Sequence, residues 1–283
     1  MRITVPKLKI TAAAALCLLA SYSAALPVKE KSDVFKSYYT EEYLAFKKRI
    51  MGEFKKAGPG RFSEFVKNAR VPRDKAGDEN HKVMAFTFDA CGGRSDGYNM
   101  KLIEYLRREQ IPATLFVTGV WIEKNKEVFA ELAADPLFEI ENHGLRHRLC
   151  STEGKTVYGV RATRDLGGVI DEMELGARYI YELTGRRPIF FRSATAYTDE
   201  LSLRVAGRIG MEVVSYDILA GDANRFSAKK MSRNILKGAP HGAVVIMHFN
   251  HPEWPNREAL ELAVPELRRR GYNFIKLDGF SLR

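Results

Sequence analysis

Ala85-Phe86-Thr87-Phe88-Asp89-Ala90-Cys91-Gly92-Gly93 is an apolar run that stops on one carboxylate and is followed by a Gly-rich turn. It reads as a buried strand whose C-terminal end carries an acid, at the sheet edge where α/β proteins place their chemistry. Asp also favours turns, so the acid alone does not define a site. Downstream, strand-like segments near 83–88, 113–117, 138–142, 188–191, 212–216, 243–247 and 273–276 alternate with helical ones. The clearest helix spans about Thr163 to Leu183, where Leu166, Val169, Ile170, Met173, Ala177 and Ile180 recur at three and four residues. The alternation predicts an α/β fold, a distorted and incomplete (β/α) barrel of about seven parallel strands, with its site in the loops after the strands.

Upstream of this domain, Phe35, Tyr38, Tyr39, Tyr43, Phe46, Ile50 and Phe54 predict a helix from Ser32 to about Lys56, apolar on one face. Lys48, Arg49, Lys55 and Lys56 project from the other face, and Lys47 lies at the edge of the stripe, where its stem can cover apolar surface. Gly58-Pro59-Gly60 ends this helix, and Ser63 to Asn68 reads as a short second one. Residues 26–81 are therefore expected to form a helical extension packed on a domain at 82–283. A membrane-surface helix is the alternative for the aromatic stripe.

Residues 1–25 have the layout of a secretory signal peptide: Arg2, Lys7 and Lys9, then an apolar run from Ile10 to Ala20, then Ser21, Ser23 and Ala25. The run is short for a bilayer span, so export to the periplasm or outside the cell is expected, without stable membrane insertion after cleavage. An uncleaved anchor is the competing expectation. Cleavage would remove three of the positive charges behind the net +10 and leave a basic chain near +7. Such a chain suits anionic envelope polymers, and the absence of a nucleic-acid motif argues against nucleic acid as a partner. Nothing in the pattern indicates the oligomeric state.

Two more strand ends carry chemistry. Phe138–Asn142 runs into His143-Gly144-Leu145-Arg146-His147, and imidazoles four apart can share one metal on a helical turn or a tight loop. Gly242–Met247 ends in His248, placed for proton transfer near neutral pH. Arg192, after Phe190-Phe191, and Asp222 would occupy the same rim, the first to hold a carboxylate and the second to orient an imidazole. Cys91 follows Asp89 closely and Cys150 follows His147 closely. If those neighbours meet at one metal the sulfurs should be close, and an exported protein would be expected to pair them as a disulfide.

Together these pieces, from about Lys82 to Leu277, resemble the polysaccharide deacetylases with a NodB homology domain, the carbohydrate esterase family 4 type. Thr87-Phe88-Asp89 is similar to the family's first motif, whose leading Asp is the catalytic base. Asn142-His143 through His147 resembles the second, whose histidines bind the metal. Phe191-Arg192 is similar to the start of the third, whose Arg orients the base. Asp222 resembles the acid that tunes the catalytic histidine, and Ile246-Met247-His248 the last motif, carrying the general acid.

The resemblance implies a hydrolase that removes N-acetyl groups from an N-acetylated envelope polysaccharide. Asp89, His248, Arg192 and Asp222 would be catalytic, and a divalent metal, zinc first, would sit on His143, His147 and Asp89. The chain departs from the pattern at Ala90, where the family has a second, metal-binding Asp, and at Ser193-Ala194, which replace prolines. The missing ligand could be Asp89 itself, Asp96, His251 or water. If Asp89 binds metal, Glu141 is the candidate base. A catalytically silent carbohydrate-binding protein of the same fold and an acetyl-ester hydrolase are the alternatives.

Overall fold

The computed structural model describes residues 33–65, 82–93 and 96–279. The expected signal peptide and most of the segment from Ser63 to His81 lie outside them. Among the described residues no helix is long and apolar enough to cross a membrane. The chain divides into two units, up to Tyr39 and from Thr40 onward. The described part of the first holds one 3-10 turn, Lys36–Tyr38.

In the second unit, helix α1 (Glu41–Glu53) starts later than the apolar periodicity suggests, because the Thr40 side chain accepts from the Tyr43 amide and caps it there. Tyr43 and Ile50 are buried, and Lys47, at the edge of the stripe, pairs with Asp171 at 2.7 Å. The expected second helix is not what Ser63 forms. Strand β1 (Phe62–Ser63) pairs antiparallel with β6 (Thr198–Asp199), and the Phe62 ring packs 5.6 Å from Tyr197.

The main sheet is built around β2 (Lys82–Ala90). Its register sets Phe86 to Ala90 beside β3 (Ala113–Val117) and Met84 to Asp89 beside β9 (Ala243–His248). Its first residues pair with β10 (Tyr272–Phe274). A central strand covered on both faces is mostly apolar, and Met84–Ala90 is buried throughout, polar only at Thr87 and Asp89. Beyond β3 lie β4 (Phe138–Asn142), β5 (Phe190–Phe191) and β7 (Glu212–Val213), and beyond β9 lies β8 (Ile218–Leu219), all parallel.

Of the expected strand at 212–216 only Glu212–Val213 forms one, β7, and the unexpected β8 follows it on the opposite edge of the sheet. The Val214 amide bonds to Phe191 O at 2.8 Å on one edge, and the Asp217 amide to Val244 O at 2.9 Å on the other. Three residues of chain reach no further than about 11 Å, so the two edges curl to within that distance of each other. The fold is a distorted, incomplete (β/α) barrel, seven strands in a row with β10 beside β2.

Helices α2 (Met100–Arg108), α3 (Gly119–Lys124) and α4 (Lys126–Ala134) connect the early strands, and α7 (Glu200–Arg208), α8 (Ala228–Lys237) and α9 (Asn256–Arg269) the later ones. The long helix after β4 begins at α5 (Leu166–Ile170), capped by Asp165, widens into a π-helical stretch at Asp171–Leu175 and ends as α6 (Gly176–Thr184). Side chains alternate across each strand, so Ala85 on β2 and Val244 and Ile246 on β9 share a face with Phe116 and Phe190 in one interior cluster. The same alternation carries that face to Asp89 and His248, which stand opposite each other in register at the strand tips.

Candidate active site

Asp89 is buried, and its Oδ1 accepts from Arg192 Nη1 at 2.8 Å. Arg192 is itself fully buried: Nη2 donates to Ser215 O at 3.3 Å, in the segment between the barrel edges, and the guanidinium lies 4.2 Å from the centre of the Phe116 ring. Burial alone would raise the Asp89 carboxyl, but the Arg192 guanidinium, with His248, holds it below its ordinary value.

His143 follows β4 directly. Its backbone amide bonds to Val117 O and its Nδ1 lies 2.8 Å from Arg192 O, so Nδ1 carries the proton and the Nε2 lone pair is directed away from the carbonyl. That Nε2 is 3.8 Å from Asp89 Oδ2 and 4.0 Å from Cys91 Sγ. The two histidines share a tight loop and not a helical turn, with ring centres 5.0 Å apart.

The loop is held from beneath. Asn142 Oδ1 accepts from the Gly144 amide, while its Nδ2 donates to Met173 O. Glu172, in the π-helical stretch, accepts from the amides of Arg146 and Arg148 at 2.9 and 2.8 Å, which lets the chain turn through His147 at φ 58°. Gly144, at φ 95°, has no room for a Cβ against the Glu172 carboxylate, and a Cβ at Gly176 would come within 2.6 Å of Asn142 Oδ1. Glu172 was not legible as a site residue. The available signal was an acid inside the apolar stripe of a helix, between Ile170 and Met173.

His248 lies beside Asp89 on the next strand. Asp222 Oδ2 accepts from the His248 backbone amide at 2.6 Å, lies 3.2 Å from its Nδ1, and accepts from Asn256 Nδ2 at 3.0 Å. Burial would push the imidazole down, but the Asp222 carboxylate raises it well above its ordinary value.

Two expectations fail here. Cys91 and Cys150 are free thiols and not a disulfide. Cys150 is packed among Val169, Met173, Phe191 and Leu201, and burial pushes its thiol well up, whereas Cys91 turns to the histidines. Burial would likewise raise Cys91, but His147, His143 and His248 bring it well below its ordinary range. Glu141, the reserve base, is buried with Oε2 accepting from the Ile189 and Phe190 amides, so it serves the β4–β5 junction. Asp96 and His251 pair with each other at 3.5 Å. Among the described residues, the group whose ligand atoms all lie within 4.8 Å of one another is Cys91, His143 and His147. Two imidazoles, one with its tautomer fixed by a carbonyl, make a donor set that fits a divalent cation. Beside it is a cavity of about 400 Å³ lined by Cys91, His147, Arg146, Arg148 and Arg161 among others.

Residues 76–214 match the family model described as polysaccharide deacetylase. A peptidoglycan N-acetylmuramic acid deacetylase of Bacillus subtilis is 26% identical over 71% of this chain and 72% of its own length. A mutant, with restored enzymatic activity, of a Bacillus anthracis pseudoenzyme of family CE4 superposes with a TM-score of 0.59 at 23% identity, over 71% of this chain and 68% of that one. A family 4 acetyl xylan esterase of Clostridium thermocellum, in complex with a cobalt ion, has the same TM-score at 21% identity, over 70% and 90% of the two chains.

Proposed function

Because the chain belongs to the polysaccharide deacetylase family, we propose that it is an exported, metal-dependent hydrolase that removes N-acetyl groups from an envelope polysaccharide. The observation that carries this reading is the pairing of Asp89 with His248 across adjacent strand tips, each with its own partner of opposite charge. Base and acid chemistry need two groups whose environments drive their proton affinities apart, and Arg192 and Asp222 do that here.

Asp89, ionised beside Arg192, takes the proton of the attacking water. His248, protonated beside Asp222, gives a proton to the leaving amine nitrogen as the carbon–nitrogen bond breaks, and acetate and the free amine are released. A divalent cation on His143 and His147, zinc first, supplies a Lewis acid for the acetyl carbonyl. Acetate release from acetylated glycans, lost on chelation and regained with added metal, tests this. No release under any divalent metal would leave the silent binding protein, the reading Ala90 favours.

Arg148 and Arg161 line the cavity next to His147, and a guanidinium suits a carboxylate. The substrate is therefore read as an anionic glycan such as peptidoglycan, in keeping with the basic chain. Replacing both arginines by Ala is expected to raise KM several-fold for peptidoglycan fragments and to leave KM for neutral chitin oligomers unchanged. Equal effects on both polymers would remove the charge-based preference. Acetyl-xylan in the same series tests the ester alternative.

The two shifts also set a pH profile. Asp89 is held low and so works down to acid pH, losing its role only as pH falls through its depressed value. His248 is held high and keeps its proton until pH rises through its elevated value. Asp222→Asn removes the charge that raises His248, so the alkaline limb of kcat/KM is expected to move to lower pH while the acid limb stays. An unmoved alkaline limb would assign it to another group.

A further inference from the structure

We propose that Cys91 is a metal ligand, its thiolate joining His143 and His147 in a three-donor site that replaces the carboxylate missing at Ala90. This rests on the metal-dependent reading above and adds a donor that the family pattern does not contain. The strand geometry explains why the substitution lies one residue further along. Side chains alternate, so Ala90 points to the face opposite Asp89 and is completely buried, while Cys91 returns to the Asp89 side.

The backbone is shaped for this placement. Cys91 O accepts from Thr118 Oγ1 at 3.0 Å, and the chain leaves through Gly92 at φ 86°, where a Cβ would come within 2.8 Å of the Trp121 amide nitrogen. Sγ then lies 4.0 Å from His143 Nε2, the nitrogen left with its lone pair by the Nδ1 contact to Arg192 O. Bonds of about 2.3 Å to sulfur and about 2.05 Å to nitrogen put two donors on a tetrahedral zinc about 3.6 Å apart. The observed separation is within a small side-chain adjustment of that value. Three protein donors leave a fourth position, as hydrolytic zinc sites require, and the cavity lined by Cys91 and His147 opens beside it. Asp89, bound to Arg192, is then free of ligand duty and remains the base.

A thiolate donor also selects the ion. Zinc and cobalt accept sulfur readily, whereas magnesium, calcium and manganese prefer oxygen. The site is therefore a thiophilic one, unlike a carboxylate–histidine site of the same shape.

The test uses the full chain loaded with Co²⁺ and reads absorption. The wild type is expected to show an intense near-ultraviolet thiolate-to-cobalt charge-transfer band, and bound metal should shield Cys91 from iodoacetamide, with buried Cys150 as internal control. Cys91→Ser should lose the band and bind Zn²⁺ more weakly by at least the roughly 10–100-fold that loss of a mere outer partner costs. Cys91→Asp should keep the metal without the band, which separates ligand loss from misfolding. A band with no acetate release would support the ligand while sinking the deacetylase reading. An unchanged affinity in Cys91→Ser overturns the proposal. So does turnover that survives chelation but not alkylation, which would make Cys91 a nucleophile beside His248.

Discussion

Arg192→Met is expected to lower stability by about 3–5 kcal/mol at neutral pH, because it strands the Asp89 carboxylate, 3% exposed, without its counter-charge. The cause is an uncompensated charge more than a lost contact, which gives the prediction two further signatures. First, Arg192→Met combined with Asp89→Asn should recover much of the loss, since the buried charge is gone. Second, the effect depends on pH with a definite sign. In the wild type Asp89 is held below its ordinary value, so its stabilisation is complete above the unfolded carboxylate range and lost as pH falls through the depressed value. Without Arg192, burial raises the group, and the variant is penalised wherever Asp89 would ionise. The difference in melting temperature should therefore shrink as pH falls below the ordinary carboxylate range. A gap constant with pH would mean that Arg192 contributes packing against Phe116 more than charge.

Asp89→Asn should lower kcat by about 10²–10⁴-fold, the range for loss of a positioned general base, while the protein still binds one divalent ion. The substitution keeps the shape, and the amide oxygen can still accept from Arg192 Nη1. Metal retention is the informative half. A base can be removed without disturbing Cys91, His143 and His147, whereas loss of the ion would make Asp89 a ligand and return the question of the base to other groups. Measuring metal content and acetate release on one preparation separates the two.

Much of the barrel could be read directly from the chain. Met84–Phe88 is apolar but for Thr87 because β2 is hydrogen-bonded on both sides, and the strands at 113–117 and 138–142 coincide with the expected ones. The strand at 212–216 was read too long and β8 was missed, because two-residue strands are defined only by the edges they meet. Helix α1 was read too long, since apolar spacing continues through Phe35 and Tyr39 but the Thr40 cap decides where the helix starts. Ser63 was read as helical, and its strand exists only through pairing with Thr198, far along the chain.

In the candidate site, strand-end residues were legible because a strand tip has a direction: Asp89, Arg192 and His248 each end or follow an apolar run, and His143 follows the alternating strand 138–142. Two partnerships were legible as well, Arg192 with Asp89 and Asp222 with His248, but the other side-chain partners were not. Glu141 and Asp89 both belong to sheet strands, yet one is taken up by the Ile189 and Phe190 amides and the other by Arg192. The two cysteines show the same limit. Proximity of each to a site residue suggested a disulfide, but one sulfur enters the apolar cluster around Met173 and the other faces His143.

By itself the sequence determined the strands at 83–88, 113–117, 138–142 and 243–247 and the helical periods between them, because runs and spacings of apolar residues are written in the chain. It therefore also determined which residues arrive at the C-terminal rim. Only the tertiary structure brought them into contact. Curling of the sheet brings Arg192 under Asp89, the π-helical stretch brings Glu172 under the histidine loop, and the turn after β2 brings Cys91 to the imidazoles. Those contacts join residues tens of positions apart, and hydrogen-bond and charge partners at that range are set by how elements pack.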